Sequence, residues 1–369
     1  MEMISSFGFD WISGEGDCSD VVLSTRVRLA RNLQGFRFGV DHSGKDREAV
    51  FERVRLGIRE YSSLEECTFL DLNRVNRLQQ RILLEKRLVS TELIGEEEKG
   101  PSKGTGVMLG PRDCLSVMVN EEDHLRIQAI ISGLELNRAW VLADEMDETL
   151  GSLMPFAYHN DFGFLTCCPT NVGSGLRASV LVHLPGLVRT NEIGKVLEGL
   201  SQIGLIARGL YGEGSEIVGN LFQISNQTTL GRNEEDLVDH LETIIRRVIG
   251  YEQDARRVLM GDGMSMMEDQ VWRAYGILRN ARSLSFSELM DLLSKVRLGI
   301  GLKLLPDVGV YTLNKIMFFT QEAHLEEAAG RGLTSAERDL HRAAYVRKNF
   351  DAKEKLGSDD EKASLDTFG

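Results

Sequence analysis

A chain of 369 residues with 42% apolar content has room for two domains and a sizeable core, and this composition argues against wholesale disorder. Its net charge of −13 excludes bulk attraction to nucleic acid or an anionic membrane, and no apolar run reaches membrane-spanning length. The excess is uneven: the first 250 residues carry −11 and the rest −2, which serves solubility first and attraction of a cationic substrate second. The five cysteines are Cys18, Cys67, Cys114, Cys167 and Cys168. Their odd number, and a start with no basic region before an apolar stretch, predict reduced thiols in the cytoplasm. No Cys/His cluster has zinc spacing, and no metal site is expected from protein side chains alone. Arginine outnumbers lysine, 31 to 12, and arginine suits planar bidentate contacts to phosphate.

Residues 1–20 read as an irregular start. From Asp20 to Asn32 the alternation predicts a strand with Val22, Ser24, Arg26 and Arg28 on one face, and Leu23, Thr25, Val27 and Leu29 on the other. Helical spacing follows from Arg47 to Tyr61, then a short strand from Cys67 to Leu72 and a helix from Arg74 to Leu88. Strands at Val107 to Leu109 and Leu115 to Val119 flank the turn Gly110-Pro111-Arg112-Asp113. In Val119-Asn-Glu-Glu-Asp-His-Leu-Arg126, strand alternation extended backward from Ile127 places Glu122, His124 and Arg126 together. Helical spacing also pairs Glu122 with Arg126, so both geometries favour Glu122 over Glu121 as that arginine's partner. Leu134 to Leu153 is a long amphipathic helix. Next comes Thr166 to Pro185, where a small-residue loop, Asn171 to Gly175, offers backbone N–H groups to an anion. The strand after it places Arg177 beside Ser179, Leu181 and His183, opposite Ala178, Val180 and Val182. Arg189 to Ile203 is expected to be a helix capped by Thr190 or Asn191. A strand carrying Arg208, an exposed loop carrying Glu213, and a strand from Leu221 to Ser225 complete this part.

After Asn233 the pattern is helical: Glu234–Tyr251, Met264–Asn280, Ser287–Lys295, Tyr311–Ala328 and Ala336–Asn349. The chain therefore divides into an α+β domain, 1–250, with a large antiparallel sheet flanked by helices, and an all-α domain, 251–350. Residues 351–369 are charged and poor in apolar side chains, which predicts a disordered tail.

Together, Arg26, Arg28, Arg126, Arg177 and Arg208 describe a polyphosphate clamp, with Glu122 and Glu213 as paired carboxylates beside it. Ser24-Thr-Arg-Val-Arg28, Asn120-Glu-Glu-Asp-His-Leu-Arg126, Cys168-Pro-Thr-Asn-Val-Gly173 with Arg177, and Arg208 before Gly212-Glu213 resemble the phosphagen (guanidino) kinases, in the same order. The resemblance spans roughly residues 20–250. It implies the catalytic fold of that family, shared with the glutamine synthetase catalytic domain, and ATP with Mg²⁺ as the phosphoryl source. It further implies that the five arginines, with Ser24, Thr25 and His124, bind ATP. Glu122 and Glu213 would hold the acceptor guanidinium, with Cys168 beside it and Glu121 and Asn171 adjacent.

Family members acting on free guanidino acids carry a helical domain before the Ser-x-Arg-Val-Arg motif, which here begins at Ser24; the extra helical domain is expected after the catalytic part instead. That layout resembles the bacterial protein-arginine kinases of the family. Arg338-Asp-Leu-His-Arg342-Ala343 resembles their Arg-Asp-x-x-Arg-Ala phosphoarginine-binding motif, which points to Arg338, Asp339 and Arg342 as an allosteric or docking site. The resemblance implies arginine-bearing protein substrates, a homodimer and a stress-response setting. The setting includes a zinc-binding activator, a heat-shock repressor as substrate and a Clp-type unfoldase and protease. Two other readings cover less of the sequence: a kinase of free arginine or a similar small guanidine, and a non-catalytic adaptor or repressor-binding protein that kept the fold.

Overall fold

A computed structural model describes residues 10–39, 44–61, 64, 66–110, 114–209, 217–262, 264–305 and 308–351. The chain divides into two compact units at Arg257 and Val258. The helix expected to end at Tyr251 continues to Asp262, so the division falls inside it, seven residues past the expected boundary. The tail expected to be disordered lies almost wholly outside the described residues.

The first unit is built on an eight-stranded antiparallel sheet. Its strands are β1 (Val22–Arg31), β2 (Thr68–Asp71), β3 (Gly106–Leu109), β4 (Leu115–Val119), β5 (Leu125–Ser132), β8 (Leu176–His183), β9 (Leu205–Gly209) and β10 (Leu221–Asn226). They lie in the order β2-β3-β4-β5-β1-β8-β10-β9. A separate two-stranded hairpin joins β6 (Tyr158–His159) to β7 (Gly163–Phe164).

Strand alternation sends one set of side chains to each face. Val27 and Leu29 of β1, Ile127 and Ala129 of β5, Ala178 and Val180 of β8 and Ile224 of β10 are fully buried on one face. They form one core with the apolar stripes of two helices, α4 (Leu136–Leu153) and α7 (Glu234–Asp262), through Ala139, Ala143, Leu150, Val238, Leu241 and Ile245. Each large side chain buried there contributes roughly 1.5–3 kcal/mol. Ala129 and Ala178 on the central strands, opposite Ala139 and Ala143 on α4, are small enough for close packing of helix on sheet.

Four shorter helices and one longer one complete the unit: α1 (Gly44–Glu60), α2 (Arg77–Glu85), α3 (Thr91–Ile94), α5 (Pro185–Arg189) and α6 (Ile193–Gln202). The helix expected from Arg74 starts later, because the Asn76 side chain accepts from the Gln79 N–H and caps it there. The helix expected from Arg189 to Ile203 is two helices. Thr190 ends the first by donating back to the Gly186 carbonyl (2.9 Å), and Asn191 takes φ +59°, which turns the chain. Neither residue caps α6.

The second unit, described by itself, has helices α8 (Met264–Asn280), α9 (Phe286–Gly301), α10 (Val310–Phe319), α11 (Glu322–Ala329) and α12 (Ser335–Asp351). The Ser285 side chain caps α9 at Glu288 N (3.2 Å). Gly299 lets α8 and α9 touch: a Cβ there would sit 2.4 Å from a methyl of Val271. The single helix expected from Tyr311 to Ala328 breaks at Thr320. That residue is fully buried, and its hydroxyl returns to Ile316 O (2.7 Å).

Candidate active site

The register of the sheet brings the five arginines to one face. Arg28 lies directly opposite Arg177, and Arg26 opposite Ser179. Across β8 and β10, Ser179 faces Ser225 and Leu181 faces Gln223, and Gln223 faces Arg208 on β9. On the other side Arg28 faces Gln128, and Arg126 follows two residues earlier on β5. The face opposite the apolar core is therefore a polar floor set with cations.

Like charges placed directly across strands are destabilising, so this floor is a cost to the fold. Burial, then repulsion from neighbouring arginines, holds Arg26 and Arg28 well below the ordinary guanidinium value. Arg28 Nε is buried without a hydrogen-bond partner among the described residues. Arg177 makes one long bond to Ser225 Oγ (3.3 Å). Such a floor is suited to an anion that supplies the missing acceptors.

Arg87 is a further cation here, and the sequence reading passed over it. It follows α2 with φ +60°, its carbonyl accepts from Gln128 Nε2 (2.7 Å), and its charge acts on Arg26. Its guanidinium lies 5.7 Å from the Trp11 ring centroid. Sequence periodicity placed it inside a helix; only the left-handed turn aims it at the floor.

The acidic loop 120–124 joins β4 to β5, with Val119 opposite Leu125. Asn120 turns it with φ +58° and anchors it by donating to the carbonyls of Arg47 (2.8 Å) and Gly104 (2.7 Å). This tight turn interrupts the alternation that predicted a Glu122–Arg126 pair. The partner of Arg126 is instead Glu121, which also accepts from Ser90 Oγ (2.6 Å). Burial works to raise the Glu121 pKa, but Arg126, Ser90 and Arg28 outweigh it and hold the carboxylate below its usual value. Glu122 is exposed at the tip, and partial burial together with Asp123 and Glu121 raises its pKa.

Asp123 is buried, and its Oδ1 accepts from Asn32 Nδ2 (2.6 Å) and from the Cys167 N–H (2.7 Å). His124 is also buried. Its Nδ1 accepts from Leu33 N (3.0 Å) and its Nε2 faces the Arg37 carbonyl (3.0 Å), which assigns the proton to Nε2. Both ring nitrogens are thus bonded to backbone, so His124 holds the segment 33–37 and neither nitrogen is left to bond a nucleotide. Thr25 departs from the nucleotide expectation in the same way. Its hydroxyl donates to Gly133 O (2.7 Å) and accepts from Glu135 N, while Ser24 takes the side of Arg26.

Cys168 is half-buried at the start of a short 3-10 turn, Pro169–Asn171, with Sγ 3.0 Å from Thr170 Oγ1. Asn171, also half-buried, donates its N–H to Cys168 O (2.9 Å). The small-residue loop does not form the expected anion cradle. The N–H groups of Asn171, Val172 and Gly173 bond to Cys168 O, Pro169 O and Phe164 O. Its glycines serve close packing: a Cβ on Gly175 would lie 2.6 Å from Arg31 Nη1, and one on Gly173 2.8 Å from Thr229 O. The neighbouring Cys167 thiol is pushed up to about 12, first by burial and then by Asp123. Glu213 lies outside the described residues. No grouping of three His, Cys, Asp or Glu side chains able to hold a metal occurs among the described residues.

Residues 49–255 match the family model of the ATP:guanido phosphotransferase C-terminal catalytic domain. The protein-arginine kinase of Symbiobacterium thermophilum is 44% identical over 354 residues, covering 95% of this chain and 99% of that protein. The chain belongs to the ATP:guanido phosphotransferase family, among its protein-arginine kinases. The protein-arginine kinase of Halalkalibacterium halodurans is also 44% identical, over 91% of this chain and 94% of its own. Among solved structures, the duplicated taurocyamine kinase from Schistosoma mansoni with bound transition-state-analogue components aligns with a TM-score of 0.58 and 25% identity. It covers 68% of this chain and 35% of that one. Lombricine kinase aligns with a TM-score of 0.57 at 22% identity, over 67% of this chain and 70% of its own, which supports the fold.

Residues 264–362 of this phosphotransferase match the C-terminal domain of protein-arginine kinase McsB. There α12 carries Arg338, Asp339 and Arg342. Arg342 is buried and held by three bonds: Nε donates to Thr320 O (3.1 Å), and Nη1 to Leu284 O (2.9 Å) and Asp339 Oδ1 (2.6 Å). Arg338 is paired with Glu322 at the start of α11. The expected pair of open forks on one helical face is therefore not what the fold presents. Arg342 locks three segments, and Arg338 alone keeps partial exposure beside an acid.

Proposed function

We propose that this phosphotransferase moves the γ-phosphoryl group of ATP to the guanidinium of arginine side chains in proteins, on the cationic floor of its sheet. The carrying observation is the single-face register of Arg26, Arg28, Arg126, Arg177 and Arg208, with Arg87 beside them. Phosphoryl transfer passes through a loose transition state, so fixed cations facing the migrating group do most of the catalytic work. ATP bound there supplies an acceptor to the Arg28 Nε, which has no hydrogen-bond partner among the described residues. Mg²⁺ would arrive with the nucleotide, bound by its phosphates, and would neutralise phosphate charge there.

The acceptor sets the second requirement. A protonated guanidinium is a poor nucleophile with a pKa above ~12. Glu122, together with Glu213, accepts its hydrogen bonds and aims one terminal nitrogen at the γ-phosphorus. As the N–P bond forms and the Pγ–O bond to ADP breaks, a carboxylate takes the nitrogen's proton. Positioning of this kind lowers a barrier by roughly 7–11 kcal/mol. The raised pKa of Glu122 suits a group that must accept a proton. Cys168, with Thr170 beside its sulfur, lines the acceptor side near Asn171; Ser24 completes the nucleotide side.

The family resemblance supplies the setting: cytoplasmic, dimeric, stress-responsive, with a zinc-binding activator, a heat-shock repressor among the substrates and a Clp-type protease downstream. Arg338 with Asp339 reads phosphoarginine as an allosteric signal, Arg342 fixing the site from beneath. The test uses Mg-ATP with either an arginine-rich protein or free arginine, and ³¹P NMR for acid-labile phosphate. Signal on protein alone is expected. Signal on free arginine favours a small-guanidine kinase, and no signal an adaptor. Glu122→Gln removes turnover, and near-normal turnover in that variant overturns its role.

A further inference from the structure

Three segments converge beneath the acceptor side of the site: the end of β1, the acidic loop 120–124, and the irregular segment that runs from β7 to Cys168. Their junction is one buried carboxylate. Asp123, 4% exposed, has no cation partner among the described residues. It receives two short bonds on a single oxygen, from Asn32 Nδ2 (2.6 Å) and the Cys167 N–H (2.7 Å). Asn32, 1% exposed, closes the junction with two more, accepting from His124 N (2.9 Å) and donating to Leu165 O (3.0 Å). Bonds to an ionised acceptor are shorter and stiffer than neutral ones. A buried carboxylate is costly unless such bonds satisfy it.

We propose that Asp123 is a positioning residue that ties the Glu122 loop to the Cys168 segment and so fixes the spacing of the two groups facing the acceptor guanidinium. Glu122 precedes Asp123 and Cys168 follows Cys167, so each acceptor-facing residue is one peptide away from an end of the same bond. Asn120 anchors the acidic loop to α1 through the Arg47 carbonyl, and Asp123 carries the crossing to the Cys168 segment. Asn32 makes the tie answer to β1, the strand that carries Arg26 and Arg28 six and four residues earlier. Acceptor groups and phosphate-binding cations thereby share one reference frame. Burial, and then this same carboxylate, keeps the Cys167 thiol protonated.

The proposal rests on the reading that Glu122 and Cys168 flank the acceptor. The full-length chain and its variants Glu122→Gln, Asp123→Asn, Asp123→Ala and Asn32→Ala are assayed with Mg-ATP and an arginine-rich protein, with ADP affinity measured by calorimetry. Misplacement of reacting groups by about 1 Å costs ~10²-fold, so Asp123→Ala and Asn32→Ala are expected to lose about that much kcat with ADP affinity kept. Asp123→Asn retains an oxygen able to accept both bonds and is expected to stay within about fivefold of the parent. Wild-type kcat in Asp123→Ala and Asn32→Ala, while Glu122→Gln is inactive, overturns the tie. ADP affinity lost in parallel with kcat in both overturns it too, because that outcome is general unfolding; should Asp123→Ala alone fail to fold, Asn32→Ala decides. Asp123→Asn as inactive as Asp123→Ala shows that charge rather than geometry matters, and also overturns it. Full activity in Glu122→Gln defeats the acceptor reading itself, which the other variants do not share.

Discussion

Arg28 and Arg342 are both buried-side arginines, one in each unit, and the two units treat them in opposite ways. Arg342 is met by two carbonyls and a carboxylate at 2.6–3.1 Å. Arg28 is met by Arg177 across the strand and Arg26 two residues away, with Glu121 opposing them, and its buried Nε has no hydrogen-bond partner among the described residues. Arg31, three residues further along β1, repeats the first pattern, with Asp147 at 2.8 Å and the Phe164 ring at 3.5 Å. A buried cation whose acceptors the fold supplies is part of the structure. One whose acceptors the fold withholds is waiting for an anion.

The comparison breaks most sharply on activity. Removing one donor from a preorganised charge-stabilising site costs about 10²–10³ in turnover. Arg28→Met is therefore expected to lose that much kcat for protein phosphorylation, with no loss of thermal stability, because a disfavoured charge leaves the fold. A large fall in melting temperature in this variant would place Arg28 with Arg342. The converse holds for Arg342→Met, which strands buried acceptors and is expected to lose about 2–4 kcal/mol of stability by denaturant unfolding. Unchanged stability there would erase the contrast.

Nucleotide should restore what the floor lacks. At free ligand about 100 times Kd, ADP with Mg²⁺ is expected to stabilise the chain by about 2.7 kcal/mol, read as a rise in melting temperature. Arg28→Met should show little of this rise, and Arg342→Met should show all of it.

The sheet, its polar and apolar faces and the positions of all five arginines were legible because alternation on β1 and β8 is strict and each arginine keeps one phase. Turns were not. Asn120 at φ +58° reversed the roles of Glu121 and Glu122, and Arg87 at φ +60° left its expected helix to join the floor. Neither conformation is marked by a glycine, the one residue whose presence would have announced it. The glycines that are present misled in the other direction. Gly173 and Gly175 suggested an anion cradle, but they answer to close contacts with Thr229 and Arg31, segments far away in sequence. The same holds for His124, Thr25 and Arg342. Motif membership singled them out, and only their tertiary partners show that their polar atoms are already in use.

The smallest expected effect is on the pH dependence of stability. Glu122 has Asp123, Glu121 and Glu92 against it and Arg126 for it, and partial burial, the largest influence, adds to the first group. Its folded pKa is raised, so the native state holds this proton more tightly than the unfolded chain does. The stability tied to that proton is complete below the unfolded carboxylate value and is lost as pH rises through the raised folded value. At neutral pH the ionised Glu122 is therefore a small net burden. Glu122→Gln removes it, and the variant should unfold at slightly higher denaturant than the parent at neutral pH. In acid below the carboxylate range the two should coincide. Equal midpoints at neutral pH, or a gap that widens in acid, would mean that Glu122 is stabilised by a cation like its neighbour Glu121, and that the tip of the acidic loop is structural rather than held ready for a guanidinium.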